Sequence, residues 1–517
     1  MSDVLKGRLS RNAFLTRASA LLIGAAALPL AAACSTPQPA TPAPPASKPA
    51  EPAKAAEAPK PAAEATKPAA AAAPKPADTK PADPAPAAKP PEVKPGVGGQ
   101  ATGPAAGGAI GTGSKTLAVW SGYPEMKPYY ERVAAEFIKT RPDVKVEILT
   151  HPLREFEQKL SATIPAKTVA DIIEISVYAN QKFIEAGLMP KNPDAMTAFA
   201  KENYPAFNIK LQTDDKGNTY GLPLFWGSSA IYYNKKMFAE AGITAPPKTM
   251  DEMEQAAIKL AKRDGNNLTR AGFSFRKSGG GSGIAEKWWI MAYPHGATIL
   301  EEVGTGKFRA GYNNDGGVRT LQRYIDGIHK HKYDSMNLKA DAEGFQLQQE
   351  AMFQRETWVI GDIAKKAPDL EYDAFQIPSD KRSGLLVGGS NLYITGGAKD
   401  PQLAWEFIQE SQKQDHLLFM LDNIGWVPLR QKGFDSSSVI AKKPQFKSFL
   451  SYPDSFEKYN YQPIAEFDEI MTKLAERLSA SYLDDKLVDN KAGMQKVLDD
   501  AAKETNDILK RANRLGG

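Results

Sequence analysis

The segment GLPLFWGSSAIYYNKKMFAEAGITAPPKTMDEM, residues 221–253, decides the fold of this chain. Four aromatic residues lie within nine positions of it, separated by a glycine and two serines: Phe225, Trp226, Tyr232 and Tyr233. Further along, Thr249 and Glu252 have the spacing of a capping box and precede an amphipathic helix pattern. The segment therefore predicts a strand through Ile231 and Tyr233, followed by a well-defined helix.

Upstream of this segment, short apolar runs alternate with amphipathic runs. TLAVWSG, VKVEIL and DIIEIS have the composition of buried strands, whereas MKPYYERVAAEFIKTRP and REFEQKLSATI place apolar residues at helical spacing. Such alternation predicts an α/β fold with a largely parallel sheet and helices on both faces. The 404 residues from position 114 onward exceed one ordinary core, so we expect two lobes.

The first 113 residues have the composition of an export signal and a tether. Residues 1–33 carry a basic head and the apolar run ASALLIGAAALPLAAA, which predicts a cleaved signal peptide. Cys34 follows it, as the lipid-modified cysteine does in the bacterial lipoprotein signal that this region resembles. Nineteen of the 39 prolines lie in residues 35–113. We therefore predict that residues 34–113 are a lipidated cysteine and a disordered tether.

Charge and cysteine content exclude several classes of function. Beyond residue 113 the chain has 53 basic and 53 acidic residues, so its overall positive charge belongs to the signal and the tether. This balance gives no support for nucleic-acid binding. Cys34 is the only cysteine, which excludes an internal disulfide and a cysteine-ligated metal site in the body.

Catalytic signatures are absent from the sequence. We find no G-x-S-x-G elbow, no H-E-x-x-H motif and no G-x-x-x-x-G-K-[ST] phosphate loop. The glycine-rich stretch SGGGSG, residues 278–283, follows no clear strand and is interpreted as a flexible loop. We therefore predict a protein without enzymatic activity, metal or cofactor.

Several segments together resemble the extracellular solute-binding proteins of ABC importers, in the carbohydrate-binding group that is similar to maltose-binding protein. The resemblance rests on the opening segment and on DIIEISVYANQKFIEAGLM, EAMFQRETWVIGDI, LLVGGSNLYITGGAKDPQLAWEFIQ and GWVPLR, in this order. It implies a type II periplasmic-binding fold, with a ligand cleft between two lobes and hinge crossings. The implied lobes are residues 114–230 with 391–433, and residues 231–390 with 434–517. We expect a monomer.

A carbohydrate site needs flat aromatic rings for the apolar face of a sugar and hydrogen-bonding groups for its hydroxyls. Strand ends and the family positions supply the candidates: Trp120, Ser121, Tyr123, Glu125, Ser176, Tyr178, Asn180, Phe225, Trp226, Arg276, Trp288, Trp289, Trp358, Ser390, Asn391 and Trp426. Since Trp288 and Trp289 cannot both be core on one helix face, we expect one of them in the cleft. Arg276 and Lys277 leave an anionic ligand open.

The resemblance implies a lipid-anchored, extracytoplasmic receptor that captures a mono- or oligosaccharide and delivers it to ABC permease subunits. Three alternatives stay open. The ligand could be a polyol or a glycerol phosphodiester, or the protein could present a ligand to a sensory partner. The third alternative is a surface glycoside hydrolase.

Overall fold

The computed structural model describes residues 106–277, 281–338, 341–453 and 455–517, all within one compact unit. The predicted signal peptide, Cys34 and the predicted tether up to residue 105 lie outside these ranges. Among the helices in these ranges, none is both long enough and apolar enough to span a membrane.

Strands and helices alternate one by one from residue 115 to residue 185, and in groups after that. The strands are β1 (Ala106–Ile110), β2 (Lys115–Ser121), β3 (Val144–Thr150), β4 (Ile172–Ser176), β5 (Leu222–Trp226), β6 (Ser229–Asn234), β7 (Lys262–Asp264), β8 (Asn267–Arg270), β9 (Leu300–Gly304), β10 (Lys307–Ala310), β11 (Met352–Glu356), β12 (Tyr372–Phe375), β13 (Gly384–Val387), β14 (Gly389–Ile394), β15 (Val427–Pro428) and β16 (Glu457–Asn460). The helices are α1 (Lys127–Thr140), α2 (Leu153–Thr163), α3 (Val177–Glu185), α4 (Asp194–Asn203), α5 (Ala206–Lys210), α6 (Lys235–Glu240), α7 (Met250–Leu260), α8 (Gly283–Ala292), α9 (Asp315–Ile325), α10 (Asp341–Gln346), α11 (Trp358–Lys366), α12 (Pro401–Ser411), α13 (Gln414–Phe419), α14 (Ser437–Lys442), α15 (Lys447–Leu450), α16 (Phe467–Ser481) and α17 (Lys491–Arg511).

The larger sheet has seven strands in the order β1-β3-β2-β4-β14-β5-β15. β2 runs parallel to β3 and β4, whereas the other four pairings in the sheet are antiparallel. The prediction of a largely parallel sheet is therefore wrong. β14 enters this sheet only after the chain has formed a second group of strands between Ser229 and Val387. The local alternation of strands and helices therefore does not predict the direction of β14.

The predicted tether is wrong at its C-terminal end. Residues 106–110 form β1, which pairs antiparallel with β3 from Ala106 opposite Thr150 to Ile110 opposite Val146. Small side chains do not prevent this pairing, because an edge strand is held by backbone hydrogen bonds. The folded body therefore begins before residue 114.

A smaller sheet has β6 at its centre, with β11 and β12 antiparallel on either side. The chain passes from β5 in the larger sheet to β6 in the smaller one through Gly227 and Ser228. It returns to the larger sheet through Gly388, between β13 and β14. Both changes of sheet lie close to the predicted crossings, while the lobe boundaries stay a prediction.

The apolar cores follow the amphipathic patterns of the sequence. Tyr130, Val133 and Phe137 of α1 are buried against the larger sheet, and Tyr232 of β6 is buried with the smaller one. The predicted capping box of α7 is present, since Thr249 accepts from the Glu252 amide and Glu252 accepts from the Thr249 amide. These packed elements hold the segments that meet at the cleft described next.

Candidate ligand-binding cleft

A cavity of about 990 Å³, including its open mouth, lies where the two groups of strands meet. Its walls come from the end of β2, the start of α2, the β4–α3 junction, the end of β5, the start of α8 and the β11–α11 junction. Eight of the candidate residues line it: Tyr123, Glu125, Ser176, Tyr178, Phe225, Arg276, Trp358 and Trp426. Their contact with a ligand stays a prediction.

One wall of the cleft is an aromatic cluster that the fold assembles from distant segments. The ring of Trp426 stacks on Phe225 with centroids 4.4 Å apart, and Tyr123 meets Phe225 edge-on at 5.2 Å. The indole Nε1 of Trp426 donates a hydrogen bond of 3.2 Å to Glu125. Burial raises the pKa of Glu125 to about 7, despite this hydrogen bond.

Further aromatic residues from other segments also line the cleft. The rings of Tyr178 and Tyr461 lie 4.6 Å apart, and the Tyr461 hydroxyl donates to Glu286 over 2.6 Å. Trp358 is only partly buried, and its Nε1 donates to Glu356 over 3.2 Å. Tyr461 was not among the predicted candidates, because its segment carries no strand-end or family signal.

Beneath the cleft, Ser121 supports its lining without reaching it, and Ser390 is buried outside the cavity. Ser121 donates to Glu174 over 2.6 Å and accepts from the backbone amide of Tyr123 over 3.0 Å. Burial raises the pKa of Glu174 to about 7, while its hydrogen bonds with Ser121 and Tyr130 oppose that rise. Ser121 is therefore placed to orient Tyr123.

Other candidates lie away from the main cavity for geometric reasons. Side chains alternate along β5, so Phe225 lines the cleft and Trp226 packs between the cores of the two sheets. Trp120 lies under the ammonium of Lys159, which is 4.0 Å from its ring centroid. Asn180 and Asn391 are buried, and Asn391 lines a second cavity that adjoins the first.

The expectation that Trp288 or Trp289 faces the cleft is wrong. Both are fully buried, at 0% and 2% exposure, and neither lines the cavity. Trp288 packs against Tyr312, and Trp289 packs against Tyr459 and Phe467. Eight of the ten residues of α8 are buried, so α8 is enclosed on more than one face. Both tryptophans therefore belong to the core, because α8 is not limited to one buried face.

Sequence reasoning missed a charged network that forms part of the cleft. The Lys287 ammonium is buried and donates to both Glu286 and Glu356, and Arg355 donates to Asp341 and Glu356. Burial opposes ionisation of Glu356, but Lys287 and Arg355 lower its pKa below the usual value. The available signal was the pair Arg355–Glu356, two consecutive charged residues just before Trp358 in the segment EAMFQRETWVIGDI.

Arg154 and Glu157, on the first turns of α2, also line the cleft and were missed. Arg154 donates to Glu157 over 2.6 Å and to Thr472 over 3.0 Å. Burial and the charge of Asp468 raise the pKa of Glu157 to about 7 although Arg154 lowers it. The three-residue spacing of a basic and an acidic residue was the only signal, and it is common on exposed helices.

Lys277 does not belong to the cleft. Its ammonium is buried and lies 2.5 Å from a carboxylate oxygen of Asp334, which also accepts from the Phe275 amide. Arg276, the preceding residue, does line the cavity. Of the two cations considered for an anionic ligand, only Arg276 is therefore accessible from the cleft.

Residues 132–448 match the family model of the bacterial extracellular solute-binding proteins. The chain belongs to this family. The solute-binding protein is 24% identical over 393 to 428 residues to several relatives, among them the arabinooligosaccharide-binding protein of Bacillus subtilis, where the match covers 76% of this chain and 92% of that one. The family is extracytoplasmic, as its description states.

Solved structures establish the fold of the solute-binding protein. A maltose-bound protein of T. maritima superposes with a TM-score of 0.65 at 17% identity, covering 76% of this chain and 99% of that one. A Mycobacterium tuberculosis protein in complex with glycerophosphocholine superposes with a TM-score of 0.64 at 17% identity, covering 77% and 100%. The predicted two-lobe, type II periplasmic-binding fold is confirmed.

Proposed function

We propose that this protein captures a carbohydrate, as a mono- or oligosaccharide, in the described cleft and delivers it to the permease subunits of an ABC importer. The observation that carries the proposal is the combination of aromatic rings and hydrogen-bonding groups around one cavity. The relatives named above include an arabinooligosaccharide-binding protein, and a diacetylchitobiose-binding protein of Streptomyces coelicolor matches at the same identity of 24%. These likenesses support a sugar as the solute.

The cleft offers both aromatic surfaces and a free hydroxyl group to a sugar. Trp358 and Tyr461 are partly exposed and can cover the apolar face of a pyranose or furanose ring. The hydroxyl of Ser176 is buried at the cleft and has no partner among the described residues, so it can bond a sugar hydroxyl. A polar group that a ligand satisfies in this way contributes to specificity as well as affinity.

Delivery requires that the lobes close on the solute and that the permease recognises the closed form. The two changes of sheet, at Gly227–Ser228 and at Gly388, flank the cavity and are the expected hinges. Lipidation at Cys34 would keep the receptor at the membrane, and a monomer is sufficient for this role. Because the relatives are binding proteins, we infer that the protein has no enzymatic activity.

A thermal-shift screen of the full chain against sugars, polyols, amino acids and polyamines tests this proposal. A solute present at about 100 times its Kd adds about 2.7 kcal/mol to the free energy of unfolding. We expect a sugar to give such a shift in the wild type and in Trp120→Ala, but not in Trp358→Ala. Trp120→Ala is the matched control, because Trp120 is partly exposed and lies outside the cavity.

The alternatives give different results in the same experiment. A shift with an amino acid or a polyamine, and with no sugar, would overturn the carbohydrate assignment. Shortening of a bound oligosaccharide, detected by mass spectrometry, would overturn the inference that the protein is not an enzyme. A sensory role would appear as binding to a receptor domain rather than to permease subunits.

A further inference from the structure

The charged groups that line the cleft differ in whether they have a hydrogen-bond partner. Each of the four carboxylates that line it accepts a hydrogen bond from a donor identified above. Two of the three guanidinium groups are also paired, Arg154 with Glu157 and Arg355 with Asp341. Among the described residues, the guanidinium of Arg276 is the charged group of this lining that has no such partner.

Arg276 lines the cavity but donates no hydrogen bond within the part of the chain that the structure describes. Its Nε is buried without a partner. Burial and the nearby Arg355 lower the pKa of Arg276 below its usual value, whereas Asp341, Glu356 and Glu286 oppose this shift. Asp341 is already bonded to Arg355, and the two glutamates are bonded to Lys287. The rest of the side chain is partly exposed in the cleft, so a ligand that supplies an acceptor would complete the hydrogen bonding of the guanidinium.

The position of Arg276 adds a second source of positive potential. Its guanidinium lies against Gly283, the first residue of α8, so closely that a Cβ at this position would be 2.7 Å from Cζ. The preceding Ser282 makes no side-chain cap on this ten-residue helix. The N-terminal amides of a helix carry partial positive charge and favour anions. Arg276 and the start of α8 therefore face the same part of the cavity.

We propose that the solute carries an anionic group, a carboxylate or a phosphate on a sugar or polyol, which Arg276 binds at the start of α8. This inference rests on the proposed function and specifies the substrate class of the same cleft. The guanidinium would donate to two oxygens of the group, and the aromatic walls would hold the sugar or polyol. The partly protonated Glu125 and Glu157 would reduce repulsion of the anion near neutral pH.

Isothermal titration calorimetry of the full chain with matched neutral and charged probes tests the inference. The pairs are glucose and glucuronate, glucose and glucose 6-phosphate, and glycerol and glycerol 3-phosphate, with sodium sulfate titrated alone. We expect a charged member to bind at least tenfold more tightly than its neutral partner, and less tightly in high salt. Tighter binding of glucuronate would identify the anionic group as a carboxylate, and tighter binding of the phosphorylated probes would identify it as a phosphate.

Three variants assign the effect to Arg276. Arg276→Gln should weaken binding of the charged probe by about tenfold to a hundredfold, as expected for loss of a charge-assisted hydrogen bond. Arg276→Lys should lose less, because it keeps the charge. Arg477→Gln removes the same charge from an exposed site on α16, where Arg477 bonds Glu504, and should leave binding unchanged. Thermal unfolding of each variant verifies that it is folded.

The experiments can overturn the anionic inference and the carbohydrate function independently of each other. If neutral sugars bind and no charged probe or sulfate binds better, the anionic inference is overturned while the carbohydrate function stands. If sulfate binds through Arg276 and no sugar binds, the anion site stands and the carbohydrate function is overturned. Unchanged binding of a charged probe by Arg276→Gln also overturns the inference.

Discussion

Trp426 bridges two neighbours in the cleft wall, because its ring stacks on Phe225 at 4.4 Å while its Nε1 donates to Glu125. It lies 301 positions after Glu125 in the sequence. The wall therefore depends on the long-range fold and not on any local motif.

Trp426→Ala should lower the free energy of unfolding by about 3–5 kcal/mol, since Trp426 is 5% exposed and its removal leaves a cavity. Trp426→Phe should cost less because it retains the stack on Phe225. Urea denaturation of both variants measures the difference. Equal stability of Trp426→Ala and the wild type would contradict the packing described for this wall.

Glu125 should make stability depend on pH in a defined direction. Its pKa is raised from 4.5 to about 7 in the folded protein, mainly by burial. Between about pH 4.5 and pH 7 the folded state therefore binds more protons at Glu125 than the unfolded state, so this group's contribution to stability is lost as the pH rises. Relative to the wild type, Glu125→Gln should gain roughly 1–3 kcal/mol between pH 5 and pH 8.

Denaturation at the two pH values measures that gain. Glu469→Gln, which replaces an exposed carboxylate bonded to Arg511, is the control and should show little change. A relative loss of stability by Glu125→Gln at pH 8 would show that the sign is wrong.

Gly227, in the first connection between the sheets, and Gly389, the strand residue that follows the second connection, should respond differently to alanine. A Cβ at Gly389 would overlap the backbone oxygen of Phe225, which is part of the same β14–β5 pairing. A Cβ at Gly227 would meet Trp426 at 3.7 Å, an ordinary contact. We expect Gly389→Ala to cost at least about 1–3 kcal/mol and Gly227→Ala to stay within about 0.5 kcal/mol, by thermal unfolding. Similar losses for both would refute this distinction.

Lys287 should be the most sensitive member of the charged network. It is 1% exposed and bonded to Glu286, Glu356 and Ser229. Lys287→Met leaves two carboxylates without their shared cation and should cost about 3–5 kcal/mol. The double variant Lys287→Met/Glu356→Gln should recover part of that loss, measured as a coupling free energy in a double-mutant cycle. Strict additivity of the two changes would argue against a shared network.

The sequence was sufficient for features that depend on local periodicity or on the order of motifs. The helix at Met250, its capping box and the two-lobe fold belong to this group. Alternation along β5 could also have separated Phe225 from Trp226, had the direction of the cleft been known. Which face of a strand points into the cleft depends on the tertiary structure, so the sequence alone predicts both residues as ligand-binding candidates.

Features that depend on distant segments were beyond sequence reasoning. The direction of β14 follows from the path of the chain through the second sheet, and the burial of both Trp288 and Trp289 follows from packing on several faces of α8. The pairing of Lys287 with Glu356 joins residues 69 positions apart. A charged side chain in a sequence gives no indication of such a partner.

The position of β1 has a mechanical consequence. β1 is the first element of the described chain, and it lies at one edge of the larger sheet, where it pairs only with β3. Any tension applied from the N-terminal side would therefore reach this outer strand first. β3 separates β1 from β2, the nearest strand that contributes to the cleft, so the outer strand could detach under load while β2, β4 and β5 stay in register.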